Sequence, residues 1–306
     1  MAKVARLEVV FGKMEGTEGR FTRDPSGFLF MEAGIFRKHG LEVAYRHLQG
    51  TEDRYEEVKS GKANLSLVVG RNALKHFLDA GITRVIGCSI NSCPYRLVVQ
   101  SGLRSVAELR GKALACRENI ARSSPLSEAF QQHGHLQLGA DLTLEMVPTD
   151  KDALAMLCRG AVQSALLTQE HAIAAQERGF ERLDGWPGVA DDPLPLLFET
   201  TEAQCREKRR ELGTFLAAYR EGIGYLKTHR DETMRMLQTS FGQSAQMAAR
   251  AYDDFHMCLN DSLKVDMKQL QKLVADVAPQ AAGGAQNIAS KWIVNELLPI
   301  DDRRIE

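Results

Sequence analysis

Residues 25–50 read PSGFLFMEAGIFRKHGLEVAYRHLQG, and the order of signals within them decides the fold. Phe28, Leu29, Phe30, Ala33, Ile35 and Phe36 place an apolar stripe along one short helix, and Gly40 supplies the left-handed residue that ends it. Leu41, Val43 and Tyr45 then alternate with Glu42, Ala44 and Arg46, the period of a strand. From Gln49 to Asp53 the chain turns into a second helix, with Thr51 as its expected N-cap. Such an order builds a parallel sheet whose ligand-facing loops lie at the carboxyl ends of its strands.

Upstream, Ala5–Phe11 has the composition of a first strand, and the loop Gly12–Gly27 after it is longer than most connections. It closes on Thr22-Arg23-Asp24-Pro25-Ser26-Gly27, where Pro25 suits a first helical turn and backbone N–H groups beside Ser26 and Gly27 can hold an anion. Asp24 as a simple helix cap is an equal alternative. Downstream, Asn64–Val69 reads as a buried strand ending at Gly70-Arg71-Asn72, followed by the helix Ala73–Ala80 and the strand Thr83–Ile90. The loop Asn91-Ser92-Cys93-Pro94-Tyr95 then leads to Arg96–Gln100, a strand expected to leave the first lobe.

The second lobe is expected to hold a short helix at Ser105–Leu109, strands at Lys112–Cys116, Leu142–Val147 and Ser164–Leu167, and helices from Leu126 and Lys151. Its ligand-facing loops would be Arg117–Pro125, where Asn119, Arg122, Ser123 and Ser124 lie beside a helix start, then Thr149-Asp150 and Thr168-Gln169-Glu170-His171. Leu194–Phe198 should return the chain to the first lobe, and beyond Glu202 nearly everything has helical spacing. The expected domains are residues 1–98 with 199–306, and residues 99–198.

GFLFMEAGIFRKHGLEVAYRHLQG followed by VKSGKANLSLVVG resembles the SsuA/THI5-like (NMT1-like) solute-binding proteins of ABC importers. The similarity continues through RSVAELRGKALA, GAVQSALLTQEHA and the helical tail, so it spans most of the chain. It implies an α/β, two-lobed periplasmic-binding-protein-like fold, with a ligand cleft between lobes, hinge strands that let it close, and a helical C-terminal region. It also implies an ABC permease as partner. It names no ligand. Some relatives of that fold are enzymes, among them desulfinases that use a cysteine and pyrimidine synthases that carry a cofactor on a lysine. The cysteine-rich signature of the latter is absent here.

Composition narrows the function. With 306 residues, 44% hydrophobic and 26% charged, the chain suits two lobes of an ordinary globular protein. Its net charge of −1, from 39 basic and 40 acidic side chains, gives no field that would gather nucleic acid or an anionic membrane. No apolar run approaches the roughly 18 residues of a membrane span, so no membrane insertion is expected. Met1-Ala2-Lys3 leads almost at once into strand one without an export signal, so the expected location is cytoplasmic, or periplasmic if a leader was removed. The six cysteines show no paired or zinc spacing and are expected as free thiols.

Four arginines, Arg23, Arg71, Arg96 and Arg122, lie in or beside expected ligand-facing loops, and a guanidinium fork suits carboxylate, sulfonate or phosphate. The expected binding residues are Arg23, Ser26, Gly27, Thr51, Arg71, Asn72, Asn91, Tyr95, Asn119, Arg122, Ser123, Ser124, Thr149 and Thr168. Phe28, Tyr95 and Trp186 could shape an apolar end of the site. His133 and His135 lack a third ligand at metal spacing, and neither a metal nor a cofactor is expected. The leading expectation is a solute-binding protein closing on a small organic anion, a carboxylate or sulfonate, aromatic or not. The alternatives are a cytosolic enzyme, with Cys93 as a weak candidate nucleophile, or a ligand sensor.

Overall fold

The structure is a computed structural model that describes residues 5–12, 26–48, 50–121, 124–183, 185–186 and 191–299. The chain divides into two compact units, the second being Cys93–Asp192 and the first comprising the described residues on either side of it.

In the first unit, β1 (Ala5–Phe11) is followed by α1 (Ser26–Glu32), α2 (Ile35–Lys38), β2 (Leu41–His47), α3 (Thr51–Lys59), β3 (Leu65–Val68), α4 (Gly70–Ala80) and β4 (Thr83–Pro94), whose last two residues belong to the second unit. The second unit contains β5 (Arg96–Val99), β6 (Ala113–Arg117), α5 (Glu118–Ala121), α6 (Ser124–Gly134), β7 (Thr143–Val147), α7 (Asp150–Cys158), β8 (Ser164–Leu167), α8 (Gln169–Glu177) and β9 (Glu181–Arg182). Strand β10 (Asp191–Thr201) brings the chain back. It leads into α9 (Glu202–Glu207), α10 (Arg209–Thr228), α11 (Arg230–Phe241), α12 (Ala245–Cys258), α13 (Met267–Val277) and α14 (Ala285–Trp292).

Each unit holds one five-stranded mixed sheet, in the order β2-β1-β3-β10-β4 and β7-β6-β8-β5-β9. In the first, β1 runs parallel to β2 with Ala5 opposite Leu41, and parallel to β3, while β10 is antiparallel to β3 with Leu197 opposite Val68. In the second, β6 runs parallel to β7 and β8, and β5 is antiparallel to β8 with Arg96 opposite Leu167. The two sheets therefore repeat one plan: three parallel strands, then an antiparallel neighbour. In both, the parallel strands end together at one edge, where α3 and α4, or α7 and α8, begin.

Burial explains the order. Leu7, Val9 and Val10 of β1 are fully buried, as are Leu65 of β3 and Leu197 and Phe198 of β10, so the first sheet is covered on both faces. An aromatic cluster lies against it: Phe30 of α1 meets Tyr219 of α10 edge-on at 4.8 Å, and Phe198 meets the same ring at 4.7 Å. The second core gathers Tyr95, Leu97, Leu114, Leu126, Phe130 and Leu166.

Four local expectations need correction. The expected single helix over 28–36 is two, because Gly34 takes φ 71° and breaks it before Ile35; Gly40, also at φ 71°, ends the second. Thr51 is the first residue of α3 rather than its cap, a position held by the extended Gly50. Asn91, Ser92 and Cys93 continue strand β4 instead of forming a loop, because Asn91 pins it from the side: its Nδ2 donates to Lys264 O (3.0 Å) and its Oδ1 accepts from Asp266 N (2.8 Å). The open loop expected after Cys116 contains the helical turn α5.

Candidate functional site

A cluster of charged side chains lies in the second unit, at the carboxyl ends of β6, β7 and β8. A recess of about 300 Å³ there is lined by Arg117, Pro148, Thr149, Asp150, Lys151 and His171. Topology assembles it: Arg117 is the last residue of β6, residues 148–151 join β7 to α7, and His171 sits in the first turn of α8. Arg117 Nη1 donates to the hydroxyl of the fully buried Tyr95 (2.9 Å) and stands 3.8 Å from Asp150 Oδ2. Thr149 caps α7, its hydroxyl accepting from Asp152 N (3.2 Å) and donating to Asp152 Oδ2 (2.7 Å). Thr168 occupies the N-cap position of α8, and its hydroxyl is bonded to His171 Nδ1 (2.9 Å), which fixes the imidazole beside the recess.

Cys93 and Gln169 lie in the same unit, with the thiol donating to Gln169 Oε1 at 3.8 Å. The contact directs the S–H at an amide oxygen, which accepts a hydrogen bond and takes no proton. Among the described residues, no group of three or more His, Cys, Asp or Glu could hold a metal ion.

The first unit carries a different cluster behind its own strand ends. Arg54 of α3 is 8% exposed, and its guanidinium donates to Leu48 O (2.8 Å) and to Thr51 Oγ1 (3.1 Å). It packs so closely under the end of β1 that a Cβ on Gly12 would lie 2.6 Å from Arg54 Nη1. Asn72, near the start of α4, donates to the same Thr51 hydroxyl at 3.4 Å. Deeper in, the fully buried Glu199 of β10 meets His76 Nδ1 at 3.1 Å, and the Tyr55 ring stacks on that imidazole at 4.3 Å. Burial pushes the Glu199 carboxyl up, against hydrogen bonds from His76 and Thr83, and burial likewise pushes the Arg54 guanidinium down, against the pull of Glu199 and Asp53.

The structure therefore sorts the sequence-based candidates. Thr51 and Asn72 come together in the first unit, around Arg54; Thr149 lines the recess of the second unit, Thr168 holds its His171, and Tyr95 holds its arginine. Asn91 is a structural staple. Arg71 is exposed on α4 and faces Asp276 of α13 at 3.7 Å. Arg96 is buried within β5. Gly27 lies under Tyr45, whose hydroxyl would stand 2.4 Å from any Cβ there. Ser26 opens α1, Asn119 lies in α5 and Ser124 opens α6; Arg23, Arg122 and Ser123 fall outside the described residues. Sequence reasoning passed over Arg117, Lys151 and the buried Arg54. For Arg117 a signal existed, since it directly follows the apolar residues 113–116 and so marks a parallel strand's carboxyl end.

No protein-family model and no curated protein sequence matches the chain. Solved structures do. The chain superposes on a putative sulfonate-binding SsuA protein of Methylobacillus flagellatus KT with TM-score 0.64 at 15% identity, covering 96% of this chain and 92% of that one. It has the periplasmic-binding-protein fold. The same fold relates it to the alkanesulfonate-binding SsuA of Xanthomonas axonopodis pv. citri, a structure with bound MOPS (TM-score 0.58, 14% identity, 98% and 96% covered). It also relates it to a cysteine-to-serine mutant of DSZB in complex with biphenyl-2-sulfinic acid (TM-score 0.60, 14% identity, 97% and 94% covered). The expectation of a two-lobed α/β fold of SsuA-like type is thus met, although at these identities it is the fold alone that is shared. Among the described residues, no helix is long and apolar enough to cross a membrane.

Proposed function

We infer that the protein is a solute-binding protein for a small organic anion, a sulfonate or carboxylate, delivered to an ABC permease. The observation that carries this reading is Arg117, a guanidinium at the carboxyl end of a parallel strand, held by Tyr95 and flanked in a recess by Lys151 and His171. A planar guanidinium at a strand end is the kind of group that recognises carboxylate and sulfonate oxygens. Helix α7 begins at the recess, with Thr149 and Asp150 in its lining, and the helix dipole adds to the attraction for negative charge. Two of the solved structures sharing the fold are described as sulfonate-binding, which supports the same ligand class.

Removal of one charge-assisted contact costs about 1.5–3 kcal/mol, so Arg117→Ala should weaken binding of a short alkanesulfonate or alkanecarboxylate roughly ten- to a hundredfold. Calorimetric titration of wild type and variant measures it. An affinity within threefold of wild type, with the variant folded by circular dichroism, would remove Arg117 from the site and the anion reading with it.

A further inference from the structure

His76 of α4 is 4% exposed, and a carboxyl group faces each of its ring nitrogens. Nδ1 lies 3.2 Å and 3.1 Å from the two oxygens of the fully buried Glu199 on β10. Burial disfavours the ionised form of Glu199, but hydrogen bonds from His76 and from Thr83 of β4, with the charge of Arg54, favour it. An ionised carboxylate only accepts, so Nδ1 carries a proton toward it. Nε2 is then the nitrogen whose proton can come and go. It is buried and without a hydrogen bond, and Glu52 Oε1 of α3 stands 3.9 Å from it, on a side chain that is 75% exposed. That separation is too long for a hydrogen bond and short enough for an exposed side chain to close.

A bare Nε2 turns a lone pair toward Glu52 and gives it nothing to bind. A protonated Nε2 makes the ring a cation with a carboxylate at each end, and the Tyr55 ring stacked on its face at 4.3 Å adds to the attraction. Of the other charged groups on α3, Arg54 and Lys59 oppose a further positive charge, while Asp53 and Glu56 support it; on α4 itself Lys75 and Asp79 carry opposite signs. We propose that His76 is a proton-operated latch: proton uptake at Nε2 draws Glu52 onto the imidazolium and ties the first turn of α3 to α4, and proton loss releases it. Thr51, next to Glu52, already shares its hydroxyl with Arg54 and Asn72, at the edge where the parallel strands of the first unit end. The latch stiffens that edge as pH falls through the range, roughly 8 to 5, in which histidine takes up its proton, and the added stability is lost as pH rises again.

The test compares the whole protein with Glu52→Gln and His76→Gln at about pH 8 and about pH 5.5, the two sides of histidine protonation. Ring nitrogen spectra of protein labelled at histidine, with His76 assigned by its absence from His76→Gln, should show Nδ1 protonated at both pH values and Nε2 passing from bare to protonated. Hydrogen exchange, corrected for the intrinsic effect of pH, should show the amides of α3 about threefold better protected at the lower pH in wild type, the size expected of one partly exposed ion pair. In Glu52→Gln that gain should vanish. A proton held on Nε2 with Nδ1 bare at both pH values overturns the latch. So does equal protection of α3 at both pH values in wild type, or a gain that survives Glu52→Gln. Should His76→Gln fail to fold, the exchange comparison of wild type with Glu52→Gln, a substitution at an exposed side chain, decides alone. Neither measurement includes a ligand, so the anion reading stands or falls separately.

Discussion

Helix α10 offers an internal comparison in which two neighbouring glycines should respond to alanine with opposite signs. A Cβ on Gly222 would lie 2.5 to 2.6 Å from three ring atoms of Phe30, whereas a Cβ on Gly224 meets nothing within 4 Å. Both sit inside Arg209–Thr228, so each substitution gains about 1 kcal/mol of helix propensity. For Gly224→Ala nothing opposes the gain. For Gly222→Ala the Phe30 ring must move, but it is fully buried and held by Tyr219 at 4.8 Å and Phe36 at 6.2 Å. Overpacking of this kind costs about 1–3 kcal/mol, and with three ring atoms so close the upper figure applies, for a net loss of about 2 kcal/mol.

The two variants should then differ by about 3 kcal/mol, with wild type between them. At about 2–4 °C per kcal/mol for a domain of this size, Gly222→Ala should melt about 4–8 °C below wild type and Gly224→Ala about 2–4 °C above it. Thermal scans followed by far-UV circular dichroism, with urea midpoints as a second measure, report both. Phe30→Leu added to Gly222→Ala should recover part of the loss, because the smaller side chain vacates the space that the methyl needs. A Gly222→Ala protein as stable as wild type would mean that α10 does not pack on Phe30 as described.

Two further outcomes follow from titratable groups. All six cysteines are free, and burial holds the thiols of Cys116 and Cys205 up at about 12 and about 11, and Cys88 higher still. An aromatic disulfide reagent at pH 8 should therefore label the exposed Cys158 quickly, leave those three silent in the native protein, and count six thiols after denaturation without reductant; a count below six contradicts the free-thiol assignment. Hydrogen bonds from Lys38 and then His39 hold the Glu221 carboxyl below its ordinary value. A carboxyl depressed in the folded state contributes stability above its unfolded pKa and loses it as pH falls through the folded one, so Glu221→Gln should flatten the acid limb of a urea-midpoint profile below about pH 4.5. An unchanged acid limb would show that the pair does not persist in solution.

The fold was legible because its signals are local. Alternation at Leu41, Val43 and Tyr45, and glycines such as Gly40 and Gly160 closing helices, depend on neighbours in sequence, and both glycines do take positive φ. The site was less legible because its members are joined by topology. Arg71 and Arg117 look alike in sequence, each beside the end of an apolar strand. What separates them is distant: α13 brings Asp276 to the one, and the junction of β4 and β5 brings the Tyr95 hydroxyl to the other. Asn91 was misplaced for the same reason, since the groups that hold it, Lys264 O and Asp266 N, lie far along the chain. Asp150 has the sequence signature of an ordinary first-turn acid, and only its burial beside Arg117 distinguishes it from Asp152.

The buried charges of the first unit follow a related logic. Arg54 joins the chain after β2, through Leu48 O, to the start of α3, through Thr51, and it fills the space under Gly12 at the end of β1. An apolar residue of equal volume would cost less to bury, because desolvating a guanidinium and the Glu199 carboxylate is expensive and their attraction roughly offsets it. What an apolar side chain cannot do is tie the chain after β2 to the start of α3 by directed hydrogen bonds. Loops are the least rigid parts of a fold, and directed bonds of this kind hold their ends. The charges of Glu199 and Asp53 favour the ionised Arg54 guanidinium against its burial, His76 bonds to Glu199, and the Tyr55 ring stacks on that imidazole. The polar cluster behind the strand ends thus ties the chain after β2 and the start of α3 together beneath the end of β1.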